Sequence, residues 1–171
     1  MASLGHVAVG LAAASLHAGG LRAARPSLLA YAAFSALALL PDIDVVGLRF
    51  HVAYAAEWGH RGAAHSLAIA AGVGLAVALC AGWRTGLLCA AVVASHGLLD
   101  SLTDGGLGVA LLWPLSHARS FAPWRPIPVA PIGARMLSAR GLHVMLVESL
   151  MFAPLTLYAL WPNRRHATRA R

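Results

Sequence analysis

The chain has 171 residues, of which 59% are hydrophobic and only 11% charged, with a mean hydropathy of +0.70. A water-facing surface of ordinary composition needs roughly a quarter to a third of its residues charged, so composition excludes a typical soluble domain. The net charge of +7 comes entirely from arginines scattered between apolar runs, a pattern that fits membrane orientation and argues against a nucleic-acid partner.

Five apolar segments follow in chain order, over residues 3–19, 26–41, 63–83, 85–103 and 141–161. The sequence therefore predicts an all-α, polytopic membrane protein with about five transmembrane helices. Span one lacks a basic region before it and carries His6, so it reads as a retained helix rather than a cleaved signal. Spans one and two fall short of the ~20 residues a full crossing needs and must thin the bilayer or end below its surface. Their alanines and glycines suit close helix packing. Pro41 is expected to end span two, because proline disfavours helical geometry at Leu40 and brings no amide hydrogen.

Residues 104–140 form a long Gly/Pro-rich connection between the fourth and fifth helices, and a loop of that length is functional more often than idle. Its apolar piece "GVALLWPL" is too short to span and reads as interfacial or re-entrant. Trp58, Trp113 and Trp124 suit an interfacial aromatic belt. The organisation is a single domain over 1–162 with a basic tail over 163–171. Cys80 and Cys89 lie inside apolar segments and read as small buried residues.

An odd number of spans puts the termini on opposite sides. The C-terminal side holds Arg22, Arg25, Arg84, Arg164, Arg165, Arg169 and Arg171 in short, acid-free segments, so that side is expected to be cytoplasmic. The same parity sends all six acids and seven of the nine histidines to the other, periplasmic side. Independent surface residues rarely sort in this way.

Spacing sharpens the pattern. In "HGLLD", His96 and Asp100 stand at i and i+4 on one helix face, within reach of a single ion. "PDID" offers Asp42 and Asp44 from a helix end, and "HRGAAHS" brings His60 and His65 to the start of another helix. With His6, these four histidines and three aspartates exceed what one tetrahedral zinc needs. They suit two divalent transition ions sharing a carboxylate, zinc favoured and manganese or iron compatible. Asp44 or Glu57 is the candidate general base. Arg119 and Arg125, in the long loop, are the candidate phosphate-binding residues, their forked guanidiniums matching phosphate geometry. His51, His117 and His143 read as packing or interfacial histidines and Asp104 as a turn residue. Glu148 is open between partner of a ligand histidine and proton carrier.

"LLPDID", "HRGAAHS", "SHGLLDSLTDGG" and "FAPWRPIPVAPIG", in that order after His6, resemble the YdjM family of inner-membrane, metal-dependent hydrolases over about residues 3–150. The resemblance implies His6, Asp42, Asp44, His60, His65, His96 and Asp100 as the site. The HxxxD pair is also similar in layout to the metal-binding helices of zinc-dependent phospholipase C enzymes. The expected function is a membrane-embedded hydrolase acting on a lipid or lipid-linked phosphate ester, with membrane lipids as partners. The alternative is a metal-ion binding or transport protein without hydrolytic activity. A carrier needs polar groups continuing toward the cytoplasmic side, where this sequence has almost none.

Overall fold

Serine hydroxyls open three of the helices in the computed structural model, which describes residues 3–22 and 25–161. Ser27 accepts from the Ala30 amide, Ser66 from Ile69 and Ser138 from Gly141, each satisfying a first-turn donor that a helix leaves unpaired. The α-helices are α1 (Leu4–His17), α2 (Leu28–Leu39), α3 (Leu67–Ala81), α4 (Trp83–Ser101), α5 (Ala139–Met151) and α6 (Ala153–Leu160). Among the described residues there is no strand, and isolated bridges pair Thr103 with Ile127 and Val109 with Ser120. The all-α expectation holds. The basic tail 163–171 lies outside the described residues.

Packing runs opposite to that of a soluble domain. The interior is small: Ala8, Ala12, Ala13, Ala14 and Ala38 are buried, while Leu28, Leu29, Leu79 and Leu150 are each at least two-thirds exposed. Small residues let backbones approach where solvent supplies no hydrophobic drive, and large apolar side chains face outward. At Gly10 an added Cβ would meet the backbone of Phe34 and Ser35, so α1 and α2 touch there. In the α3–α4 hairpin, Gly74 and Gly86 each approach the opposing helix as closely. Gly82, at φ 86°, makes the turn between them. The hydroxyls of Ser15 and Tyr31 both donate to the Ala159 carbonyl, at 3.0 and 2.7 Å, tying α6 to α1 and α2.

Two elements differ from expectation. The α-helix of span two stops at Leu39, but the chain continues as a 3-10 helix over Leu40–Phe50. Pro41 sits in its first turn, where a missing amide hydrogen costs nothing. Leu28–Phe50 is consequently one helical stretch long and apolar enough to cross a membrane. The segment expected as span five is bent: α5 and α6 meet at 59°. Pro154, in the first turn of α6, cannot donate back to the preceding turn. α1 and α3 are apolar but shorter, with 14 and 15 residues.

The long connection folds back over one end of the helices. Ala122 and Ile127 amides donate to the carbonyls of Ser101 and Leu102, and Asp104 accepts from the Val129 amide at 2.7 Å. "GVALLWPL" forms turns rather than a helix. Its Ala110 amide donates to Arg61, and its Leu111 carbonyl accepts from Leu67. That strap holds the start of α3 beside the end of α4.

Candidate metal centre

Four helix ends converge under this connection. α1 brings His6 in its first turn, the 3-10 helix after α2 brings Asp42 and Asp44, the segment before α3 brings His60 and His65, and the last turns of α4 bring His96 and Asp100. His6, His65, His96 and Asp100 are each at most 2% exposed. Burying this much polar chemistry is expensive unless something pairs it.

Hydrogen bonds orient part of the set. His60 Nδ1 lies 2.8 Å from Asp44 Oδ1, and Asp44 Oδ2 accepts from the Arg61 amide at 3.2 Å. His65 Nδ1 also approaches Asp44 Oδ2, at 3.0 Å, without hydrogen-bond geometry. His96 Nδ1 stands 2.7 Å from the Ala38 carbonyl. A carbonyl can only accept, so Nδ1 carries the proton and Nε2 is left as a bare lone pair. The His6 ring stacks on His96 with centroids 3.6 Å apart and planes 7° from parallel.

What remains faces inward without hydrogen bonds. The Nε2 atoms of His6, His65 and His96 are buried and unsatisfied. Across from them stand carboxylate oxygens: Asp42 Oδ1 at 3.3 Å from His96 and 3.6 Å from His65, and Asp100 at 3.6 Å from His6 and 3.7 Å from His65. These separations exceed hydrogen-bond length. They match the edge of a tetrahedron of ligands around one ion, about 3.4 Å for bonds near 2.1 Å. Two sets have their ligand atoms within 4.8 Å of one another: Asp42, Asp44, His60 and His65, and Asp42, His65, His96 and Asp100. Imidazole and carboxylate donors in these numbers fit a divalent transition ion, and Asp42 belongs to both sets.

A cavity of about 320 Å³ reaches this cluster, with Asp42, Tyr54, His60, Arg61 and Asp100 on its polar wall. Val129, Pro131, Ile132 and Met136 supply apolar lining to the same cavity. Burial pushes the Tyr54 phenol above its ordinary pKa, so it remains a proton donor near neutrality.

Three residues expected at the site are engaged elsewhere. Glu57 accepts from the Trp113 indole at 2.6 Å and lies 3.9 Å from His117, in a separate cavity. Arg119 donates to the carbonyls of Tyr54, Ala56 and His60 at 2.6–3.1 Å, so its guanidinium holds the 54–60 loop rather than facing the cavity. Arg125 is exposed and stacks over Phe121 at 4.8 Å.

The sequence of this chain matches the family of the YdjM inner membrane protein over residues 1–167. The chain belongs to that family. It is also 41% identical over 140 residues to the inner membrane protein YbcI of Escherichia coli (strain K12), covering 75% of this chain and 81% of the relative. No solved structure matches. Membership establishes an inner-membrane protein and agrees with the outward leucines and small-residue core.

Within this YdjM-family fold, Arg61 is a buried residue that sequence reading did not place among the site residues. It is 2% exposed, and its Nε lies 3.1 Å from Asp100 Oδ2. Nη1 donates to Thr103 Oγ1 and to the Gly105 carbonyl, both at 2.9 Å. Its backbone is left-handed at φ 64°, a conformation that costs a non-glycine residue about 1–2 kcal/mol and collects at functional sites. Its place between His60 and Gly62, in "HRGAAHS", was the available signal.

Proposed function

We propose that this protein is a membrane-embedded, metal-dependent hydrolase that cleaves a lipid or lipid-linked phosphate ester. The observation that carries the reading is the cavity lined by Asp42 and Asp100, the carboxylates that face unsatisfied histidine nitrogens. In this reading Asp42, Asp44, His60, His65, His96 and Asp100 hold two divalent transition ions, zinc favoured, with His6 a ligand or supporting donor. Such ions supply Lewis acidity, polarising the phosphoryl oxygen and acidifying water near neutral pH.

The chain's own residues do the rest. Asp44 steadies His60 and the Arg61 backbone, and of the two candidate bases it alone adjoins the cluster. The apolar wall of Val129, Pro131 and Met136 excludes water from one side and suits a hydrocarbon chain.

The reading includes five membrane crossings, α5 and α6 forming the last. The C-terminus is cytoplasmic and the site faces the periplasm. Support comes from Arg84 in the first turn of α4, at the far end of the α3–α4 hairpin from His65 and Asp100. Alkaline phosphatase fused after Arg171 should be inactive and a fluorescent protein there bright. The reverse pattern would invert the orientation.

The activity test incubates protein in mixed micelles with phospholipids and polyprenyl phosphates, with and without chelator, and follows products by mass spectrometry. Chelator-sensitive release that is lost in His65→Ala supports the hydrolase. Bound metal without turnover of any ester would favour a metal-binding or transport protein instead.

A further inference from the structure

Arg119 is bound to three carbonyls and Arg125 faces solvent over Phe121. Neither cation lines the cavity beside the cluster, but Arg61 does. Its Nε and Nη1 are engaged by Asp100, Thr103 and Gly105, and Nη2 is the nitrogen that these contacts leave open. Space for this guanidinium is built in. Gly106, at φ 95°, lies so close that a Cβ there would stand 2.9 Å from Nη1 and 3.2 Å from the Tyr54 hydroxyl. A strained backbone, a glycine-cleared seat and three anchoring contacts hold one cation in the lining of a cavity that Val129, Pro131, Ile132 and Met136 also line.

We propose that Arg61 is the specificity-determining residue of this cavity: its guanidinium, beside the Tyr54 hydroxyl, receives a phosphate group whose alkyl chain lies against Val129, Pro131 and Met136. The proposal rests on the hydrolase reading for its biological setting, but it concerns recognition and is tested by binding. A planar, permanently charged fork suits a tetrahedral oxyanion. A neutral carboxylic ester or amide of the same chain length brings no anion to this guanidinium beyond the Asp100 carboxylate it already pairs with, so it gains no charge-assisted hydrogen bond there. The cavity therefore selects for phosphate amphiphiles over neutral ones.

The test uses decylphosphonate, whose carbon–phosphorus bond is not hydrolysed, with metal-replete protein in detergent and isothermal titration as readout. Wild type should bind decylphosphonate at least tenfold tighter than decyl acetate and at least tenfold tighter than inorganic phosphate. Arg61→Lys, which keeps a charge beside Asp100, should lose about tenfold in phosphonate affinity while metal content and melting temperature stay near wild type. Equal affinity of wild type for the phosphonate and the neutral ester overturns the proposal, whether or not the variant folds. Unchanged phosphonate affinity in Arg61→Lys does the same. Inorganic phosphate binding as tightly as decylphosphonate removes the alkyl wall from the assignment and leaves a bare anion site, against the proposal. Turnover assayed in parallel separates the two readings. Arg61-dependent binding without hydrolysis refutes the enzyme and keeps Arg61, whereas hydrolysis with Arg61-independent binding does the reverse.

Discussion

His96 and Ala38 are joined across two helices: the imidazole Nδ1 donates to the Ala38 carbonyl over 2.7 Å. The bond satisfies a carbonyl at the end of α2 that the helix leaves open, and it turns Nε2 toward Asp42, 3.3 Å away. The geometry thus decides which nitrogen is available. Nitrogen-15 NMR of chelator-treated protein should find His96 in the Nδ1–H tautomer, and an Nε2–H tautomer would contradict this arrangement.

Gly97 separates α4 from the His65 backbone. A Cβ on Gly97 would collide with the His65 carbonyl, a backbone atom that cannot swing aside. Gly97→Ala should therefore cost about 1–3 kcal/mol through overpacking and loosen metal retention, although no ligand is altered. Gly72→Ala meets nothing within 4 Å and should be neutral or slightly stabilising. Thermal melts and metal analysis of the pair check both statements, and equal behaviour would contradict them.

Much of this was legible and some was not. The helices fell near their predicted bounds because runs of alanine, leucine and glycine have few alternatives in a membrane. His96 with Asp100 followed from i, i+4 spacing, and topology parity brought His6, Asp42, Asp44, His60 and His65 to the same end. Parity gives a side and not a cavity, so it did not separate Glu57, bonded to Trp113 beside another cavity, from the residues of the cluster. Arg61 escaped because an arginine in a loop reads as solvated, and its burial depends on Thr103 and Gly105, more than forty residues away. The bend before Pro154 was missed because hydropathy across 141–161 is uninterrupted.

Glu148 accepts from the Gly5 amide at 3.1 Å, in the first turn of α1 and one residue before His6. It is fully buried. Glu148→Ala should leave a buried donor unsatisfied, at a cost of about 1–3 kcal/mol, and let His6 drift from His96. Glu148→Gln keeps an acceptor and should recover most of the stability. Equal losses in the two variants would show that charge, rather than the bond to α1, is what matters.

Arg119 acts as a clamp in this structure. Arg119→Ala removes the donor for three carbonyls of the loop that carries His60, a loss of about 1.5–3 kcal/mol per charged hydrogen bond at most. Limited proteolysis should find residues 51–60 newly accessible in the variant. Protection equal to wild type would remove the clamp.

Metal analysis of detergent-purified protein, wild type beside Asp42→Ala, tests the central claim most directly. Asp42 belongs to both candidate ligand sets, whereas Asp44 and Asp100 each belong to one. The account predicts about two transition ions per wild-type chain, a large loss of both in Asp42→Ala, and partial loss in Asp44→Ala or Asp100→Ala. A wild type purified without transition metal that takes none up on titration, or full occupancy in Asp42→Ala, would contradict it.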